Sequence, residues 1–163
     1  MLHKKAGNLT GWISYSLGRA LRRFDNPEYK GWYPANHERI HELNAVCSYN
    51  YNKWDFSTTF IYASGRPFTA PESYYISSGQ IIAKFGEHNA CRMRPYIRLD
   101  LSVNYDIVKN EKYENGINLS IVNALARRND IMYKLRIEDG KFAYKYQSFI
   151  LRVIPSISYY HKF

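Results

Sequence analysis

The sequence lacks any run of 18 consecutive apolar residues, which is the length at which a segment becomes a candidate membrane-spanning helix. A transmembrane helix is therefore excluded. The same absence leaves membrane-spanning strands open, because such strands turn only alternate side chains toward lipid and keep their average hydropathy low.

Cysteine is scarce, with only Cys47 and Cys91 in 163 residues. Two cysteines are too few for a disulfide framework, and their spacing matches no zinc-binding pattern. A basic block is also lacking, although the net charge is +9. Because the lysines and arginines are spread along the chain, the sequence predicts no nucleic-acid partner.

What the chain has in quantity is tyrosine, 16 residues of it, and long stretches in which apolar and polar side chains alternate. The last stretch, residues 148–163, alternates almost throughout and ends on Phe163. Strict alternation predicts a β-strand with one apolar side. Soluble strands average about 5 or 6 residues, whereas about 9 to 11 tilted residues cross a bilayer. The length of this stretch therefore favours a membrane-spanning strand, and an edge strand of a soluble sandwich remains the alternative.

Five further stretches alternate in the same way: residues 11–24, 41–52, 54–63, 96–107 and 117–125. The clearest is 96–107, whose odd-numbered residues are apolar and whose even-numbered residues are polar or charged. Residues 1–10 read as the end of another strand followed by a turn at Gly7-Asn8.

The connections between these strands alternate between long and short. Residues 25–38, 68–95 and 127–147 form long connections, the last with a small hairpin predicted at Glu138-Asp139-Gly140. The turns at 52–53 and 109–115 are short. Outer-membrane barrels sort their connections in this way, with long loops outside and short turns in the periplasm. The predicted fold is therefore all-β, an antiparallel up-and-down transmembrane β-barrel segment of about six long strands, with long extracellular loops and short periplasmic turns.

On this fold, five polar side chains are candidates for the inner, lumen-facing wall, where they would form ladders of charges and hydrogen bonds. They are Arg98, Asp100, Asn104, Asp106 and Arg152. Aromatic residues near the predicted periplasmic strand ends suit an interfacial girdle, and these are Trp12, Tyr49, Tyr51, Trp54, Tyr105, Tyr159 and Phe163. No catalytic triad, phosphate loop or carboxylate pair stands out, so the sequence predicts no enzyme site and no cofactor.

One motif points to a different chemistry. His37, Glu38 and His41 match the H-E-x-x-H pattern, which on a helix binds zinc and supplies a general base for peptide hydrolysis. No helical apolar stripe surrounds the motif, and a period-2 strand begins at His41 itself. In a strand the two histidines would lie about 13 Å apart, too far to share one metal ion. The zinc metallopeptidase is therefore the least favoured hypothesis.

Six segments, in order along nearly the whole chain, carry a resemblance to a known family. They are GWISYSL (11–17), RIHELN (39–44), FIYASGRPFT (60–69), YIRLDLSVNY (96–105), VNALARRN (122–129) and PSISY (155–159). This ordered set resembles the C-terminal barrel region of TonB-dependent outer-membrane receptors. Each segment is degenerate by itself, and only the ordered set is specific.

The resemblance implies energised import of a scarce ligand, such as a metal chelate, cobalamin or an oligosaccharide, across the bacterial outer membrane. In that family about 22 strands surround an N-terminal plug, so residues 1–163 would be the C-terminal part of a receptor. The plug, the earlier strands and a secretory signal are missing from this sequence. Its partners would be outer-membrane lipid, the remaining barrel strands and the plug, with TonB engaged only through the plug. Ile157, Tyr159 and Phe163 resemble the C-terminal signal that the barrel insertion machinery reads.

A second hypothesis is a small autonomous outer-membrane barrel with a binding or structural role. It would need eight strands, which the chain could supply if residues 1–5 and 133–146 joined the barrel wall.

Overall fold

The computed structural model describes residues 1–24, 31–110, 113–138, 141–148 and 152–163, and these residues form β-strands, turns and irregular segments. The strands are β1 Leu2–Lys4, β2 Leu9–Leu17, β3 Leu21–Arg23, β4 Trp32–Pro34, β5 His41–Tyr51, β6 Trp54–Ala63, β7 Pro67–Phe68, β8 Pro71–Ser77, β9 Gln80–Phe85, β10 Cys91–Arg92, β11 Tyr96–Lys109, β12 Glu114–Val122, β13 Asp130–Glu138, β14 Lys141–Ser148 and β15 Ile154–Lys162. The described part of the chain contains no helix long and apolar enough to cross a membrane.

Seven strands form one antiparallel sheet in the order β1-β2-β5-β6-β11-β12-β15. Every strand therefore pairs with its neighbours along the chain within the sheet, which is the up-and-down arrangement predicted from the sequence. β1 and β15 stand at the two ends of this order, so within the described residues the sheet is open and does not close into a barrel. The all-β antiparallel prediction is confirmed.

The connections of the sheet are sorted by length, as predicted. Short turns join β1 to β2, β5 to β6 and β11 to β12, and all three lie at one end of the sheet. The turn between β5 and β6 uses Asn52 at a positive φ of 54°, a conformation that asparagine tolerates better than most residues. Gly7, with φ of 90°, supports the predicted turn after β1.

Three predicted strands differ from those observed. The stretch 11–24 is interrupted after Leu17, because the backbone N–H of Ala20 donates to the Glu38 side chain and not to a strand ladder. The stretch 117–125 ends at Val122, because Asn123 adopts a φ of 58° and begins a turn.

The final strand is the largest correction. It runs over Ile154–Lys162 and has 9 residues, not the 16 of the predicted stretch. Ser148 belongs to β14 and pairs with Asp130. Residues 149–151 of the predicted strand lie outside the described residues. Nine residues still suffice to cross a bilayer, but the predicted exceptional length of this strand is wrong.

The long connections are not irregular loops, because each carries a small two-stranded hairpin: β3-β4, β8-β9 and β13-β14. The hairpin predicted around Glu138 is confirmed as β13 paired with β14, while Asp139-Gly140 lie outside the described residues. The β8-β9 hairpin is an addition to the predicted loop. Ser78 and Gly79 at its tip both have positive φ, 51° and 77°, as a two-residue hairpin turn of type I′ requires.

No second layer packs on the sheet within the described residues, since its strands make their extensive contacts only with their ladder neighbours. Among the residues whose burial is described, the buried hydrophobic ones are Ala35 and Ala63. The chain exposes 12048 Å², whereas a compact monomer of 19.2 kDa exposes about 8,400 Å². Within the described residues, no hydrophobic core of the kind that normally stabilises a sheet is therefore present.

Candidate functional site

One face of the seven-stranded sheet, called here the apolar face, collects the odd-numbered residues of β2, β5, β11, β12 and β15 and the even-numbered residues of β6. The register aligns their side chains into rows that cross the sheet. One row runs through Leu9, Tyr49, Phe56, Val103, Leu119 and Ile157. Ile157 is 73% exposed and Leu119 is 48% exposed. The face is therefore a continuous apolar surface in contact with the surroundings.

An open groove of about 720 Å³ crosses the apolar face. Cys47, Thr58, Leu101, Ile121 and Pro155 form one row along it. Almost all of the surface that lines the groove is apolar. Such a surface suits hydrocarbon chains or apolar side chains and offers little to a polar ligand.

Aromatic side chains concentrate on the apolar face beside the short turns. Tyr51, Trp54, Tyr105 and Tyr159 share one row, with Ile117 between the last two. The rings of Trp54 and Tyr105 lie 4.6 Å apart. The common level predicted for these four residues is confirmed, although their role at a membrane interface stays a prediction.

The other predicted girdle residues lie elsewhere. Tyr49 belongs to the adjacent row, and Phe163 lies beyond the end of β15 with 96% of its surface exposed. Trp12 was placed wrongly, because it pairs with Val46 on the opposite face of the sheet and lies in the middle of its strand. The cause is the parity of β2, whose odd-numbered residues form the apolar face.

The opposite face, called here the polar face, carries small hydroxyl side chains in a row across six strands: Thr10, Ser48, Ser57, Ser102, Ser120 and Ser156. The next row toward the short turns carries amides and a carboxylate, with Asn50, Asp55, Asn104, Asn118 and Ser158. The two faces thus differ in chemistry along the whole sheet.

The predicted polar ladder is present on this face. Arg98 donates to the Asp100 carboxylate from Nε at 2.9 Å and from Nη2 at 2.6 Å. Asn104 Oδ1 accepts a hydrogen bond from Asn118 Nδ2 at 2.5 Å. Arg98 and Asp100 therefore pair along one strand, and Asn104 pairs with the neighbouring strand, while a lumen-facing position for these residues stays a prediction.

Asp106 forms a separate cluster near the short turns. It accepts hydrogen bonds from the Tyr160 hydroxyl and, at 3.2 Å, from Lys109 Nζ. The Tyr160 hydroxyl lies where a side chain on Gly116 would have to be, so only glycine fits between these strands. This cluster joins β11, β12 and β15 across the polar face.

Arg152 does not join the ladder. It precedes β15, and its carbonyl oxygen accepts a hydrogen bond from Asn123 Nδ2. Together with Arg98 it lines a cavity of about 660 Å³ at the long-loop end of the sheet. The structure therefore brings these two predicted residues together around a space and not along a strand.

Glu38 is the most buried large side chain, 1% exposed, and it was read from the sequence only as part of a zinc motif. Its carboxylate pairs with Arg92 and, at 3.5 Å, with Arg19 Nε, and it accepts the Ala20 N–H at 3.2 Å. Burial alone would raise the pKa of Glu38. The hydrogen bonds and positive charges together outweigh burial, and the pKa falls below its ordinary value of 4.5.

This arrangement does not resemble a zinc site. His37 lies in a turn, and His41 begins β5 and hydrogen-bonds through Nδ1 to the Tyr15 hydroxyl at 2.8 Å. The Glu38 carboxylate is engaged by two arginines and is not available as a general base. Among the described residues, no three His, Cys, Asp or Glu side chains form a group that could hold a metal ion.

The three long connections are tied together through the second of them. Asn89 donates to Pro34 O at 2.7 Å and Asn36 Oδ1 at 2.5 Å in the first connection. Arg94 forms a bidentate ion pair with Asp130 in the third, at 2.6 and 2.7 Å. Hydrogen bonds and ion pairs therefore join the three long connections into one layer at this end of the sheet.

The sequence patterns do not indicate the roles that Glu38, Asn89 and Asn123 have in this layer. Each makes its contacts with residues far along the chain, and no short-range pattern encodes such partners. A weak signal existed for Asn123, because an asparagine directly after an apolar strand often adopts a positive φ and ends the strand.

Neither a scan against protein-family models nor searches of curated proteins and solved structures found a match to this chain.

Proposed function

We propose that this chain forms the C-terminal strands of a TonB-dependent outer-membrane receptor and takes part in importing a scarce ligand. The ligand would be a metal chelate, cobalamin or an oligosaccharide. The partners would be outer-membrane lipid, the remaining barrel strands, the plug and the barrel insertion machinery, with TonB reached only through the plug.

The observation that carries the proposal is the exposed apolar face on a sheet without a core. A row such as Tyr49, Phe56 and Leu119 faces outward with each side chain more than 40% exposed. Soluble monomers rarely expose contiguous apolar patches beyond a few hundred Å². A hydrocarbon layer is the surrounding that such a face needs.

Strand length and loop sorting support the same proposal. β2, β5, β6, β12 and β15 have between 9 and 11 residues, the length that crosses a bilayer core when tilted. All three long connections lie at one end of the sheet, as extracellular loops do in outer-membrane barrels.

The two open edges favour a segment of a larger barrel. Unpaired backbone groups at β1 and β15 are costly in lipid, so additional strands must pair with them in a membrane. For this reason the isolated chain is expected neither to transport nor to fold stably.

The alternative of a small autonomous barrel receives less support. Its eighth strand would come from residues 133–146, but β13 and β14 pair with each other and not with the seven-stranded sheet. Residues 2–4 do join the sheet, as an edge strand.

The two native cysteines provide the test. Cys47 lies half-buried on the apolar face, and Cys91 is exposed in the second long connection. Intact cells that express the chain from its own locus are treated with a membrane-impermeant maleimide. The proposal predicts labelling of Cys91 alone, with Cys47 becoming reactive only after detergent and denaturant are added.

Cys47→Ser and Cys91→Ser variants assign each label to its residue. Equal protection of both thiols in intact cells, together with recovery of the chain in the water-soluble fraction, would remove the basis for an outer-membrane location.

A further inference from the structure

The cavity at the long-loop end of the sheet is partly open, and its lining is mostly apolar with several cationic and amide side chains. Its volume of about 660 Å³ lies within the range of small-molecule sites. Three arginines line it, Arg98, Arg127 and Arg152. Arg98 is paired with Asp100, whereas the described residues provide neither Arg127 nor Arg152 with a carboxylate partner.

One buried side chain, Asn123, connects the chain segments that carry these three arginines. Its Nδ2 donates to the carbonyl oxygens of Arg127, at 2.9 Å, and Arg152. Its backbone N–H donates to Asp100, which binds Arg98. Because both amide protons are committed to carbonyls, the orientation of the Asn123 side chain is fixed and its Oδ1 is left without a partner.

Arg127 is held less firmly than its neighbours. Its Nη2 makes one long hydrogen bond, 3.3 Å, to Pro95 O, and its buried Nε has no acceptor. A buried donor without an acceptor is costly. A small rotation that presents Nε and Nη2 together to a carboxylate would replace these contacts with a bidentate pair, the geometry that arginine prefers.

We propose that this cavity binds a small carboxylate-bearing ligand, with Arg127 as its bidentate partner, Arg152 as a second cation and Asn123 as the residue that positions both. Binding does not depend on the proposed transport function, but identification of this ligand as the imported one does.

The test uses the chain purified in detergent from cells that express it from its own locus, together with any chains that assemble with it, and binding is measured by calorimetry. Glucuronate and glucose are matched probes, because they differ in a carboxylate against a hydroxymethyl group, and inorganic phosphate tests for an unspecific anion site. The proposal predicts that glucuronate binds saturably and that glucose binds at least about tenfold more weakly. It also predicts that the chain prefers glucuronate to phosphate, and that substitutions in the cavity lining, but not elsewhere, remove this preference.

Arg127→Gln should weaken glucuronate binding by about tenfold or more, as expected for a lost hydrogen bond to a charged group. Arg127→Lys keeps the positive charge but loses the forked guanidinium group that makes a bidentate pair, so it should recover only part of the affinity. Arg128→Gln is the matched control, because Arg128 is exposed, adjacent in sequence and outside the cavity lining. Circular dichroism confirms that each variant retains its strands.

Equal loss of affinity in the Arg127→Gln and Arg128→Gln variants would overturn the proposal, because it would reduce the effect to net charge. Absence of glucuronate binding to a folded chain would overturn it as well. Either result would leave the cysteine labelling pattern, and with it the proposed membrane location, unaffected.

Discussion

At the scale of single residues, the molecule depends on polar side chains that are buried at the long-loop end. Glu38 has two arginine partners and the Ala20 N–H, and it connects the first long connection to the second. A buried charge with good partners is costly to disturb, because removing one member leaves the other without compensation. Substitutions of these buried polar residues should therefore destabilise the long connections more than substitutions elsewhere in them.

Neutralising Glu38 should loosen this layer. Glu38→Gln removes the charge on which Arg92 and Arg19 depend and should destabilise the local fold by about 1.5–3 kcal/mol, the range for hydrogen bonds to charged groups. Faster amide hydrogen exchange at Ala20 measures the effect. Glu42→Gln is the control, because the Glu42 side chain is 45% exposed and its contact with Arg39 is long, at 4.0 Å. Unchanged exchange at Ala20 would show that the ion pair does not hold the layer.

Acid should act in the same way as this substitution. The pKa of Glu38 is below 4.5 in the folded chain, so its contribution to stability is complete above the unfolded value and is lost as the pH falls through the folded value. The protection factor at Ala20, which corrects for the intrinsic pH dependence of exchange, should therefore fall below about pH 4.5 in the native chain. In Glu38→Gln this acid-dependent fall should be absent.

At the scale of elements, each long strand has two faces that differ in their surroundings. On β12, Leu119 points to the apolar face between Val103 and Ile157, while Ser120 points to the polar face between Ser102 and Ser156. Neighbouring residues of one strand are therefore expected to respond in opposite ways to the same substitution.

Arginine at these two positions distinguishes lipid from water. At the middle of a lipid-facing strand a cation costs about 2–4 kcal/mol, whereas in the interior of a barrel it is tolerated. Leu119→Arg should therefore sharply reduce the fraction of chain assembled into membranes, and Ser120→Arg should leave most of it. Extraction of membranes with alkali followed by quantification of the retained chain measures both. If Leu119→Arg assembled as well as the native chain, the apolar face would not lie in lipid.

At the scale of the whole molecule, the surface area is the dominant fact. The chain exposes 12048 Å², about 40% more than a compact monomer of its mass. The excess belongs to a sheet with two open edges and no covering layer within the described residues. Such a molecule requires a partner surface, and the proposal assigns that surface to lipid on one face and to further strands at the edges.

The isolated chain should therefore associate in water. Size-exclusion chromatography with light scattering should show heterogeneous assemblies without detergent and a smaller species with it, because detergent covers the apolar face. Co-expression with an N-terminal segment that supplies the plug and the earlier strands should yield one defined species. A heat-stable, conducting monomer from the isolated chain would show instead that the chain is complete in itself.

The strands of the sheet could be predicted because alternation is a local property. The run from Ile97 to Asp106 shows its two faces without any knowledge of neighbouring strands. The end of β2 could not be predicted, since the Ala20 N–H donates to Glu38, a residue 18 positions later, and a local pattern does not show that contact. The β8-β9 hairpin is not among the predicted elements, although the Ser78-Gly79 pair at its tip is typical of a turn.

The sequence by itself determined that this protein is an antiparallel all-β sheet with an apolar face, a polar face and connections sorted by length, because these properties follow from the period of two and from turn residues. Only the tertiary structure decided that no layer covers the apolar face within the described part of the chain, that Glu38 connects two of the long connections, and that three arginines line one cavity beside Asn123. These features arise from contacts between distant segments, and a local pattern carries no information about which distant groups will meet.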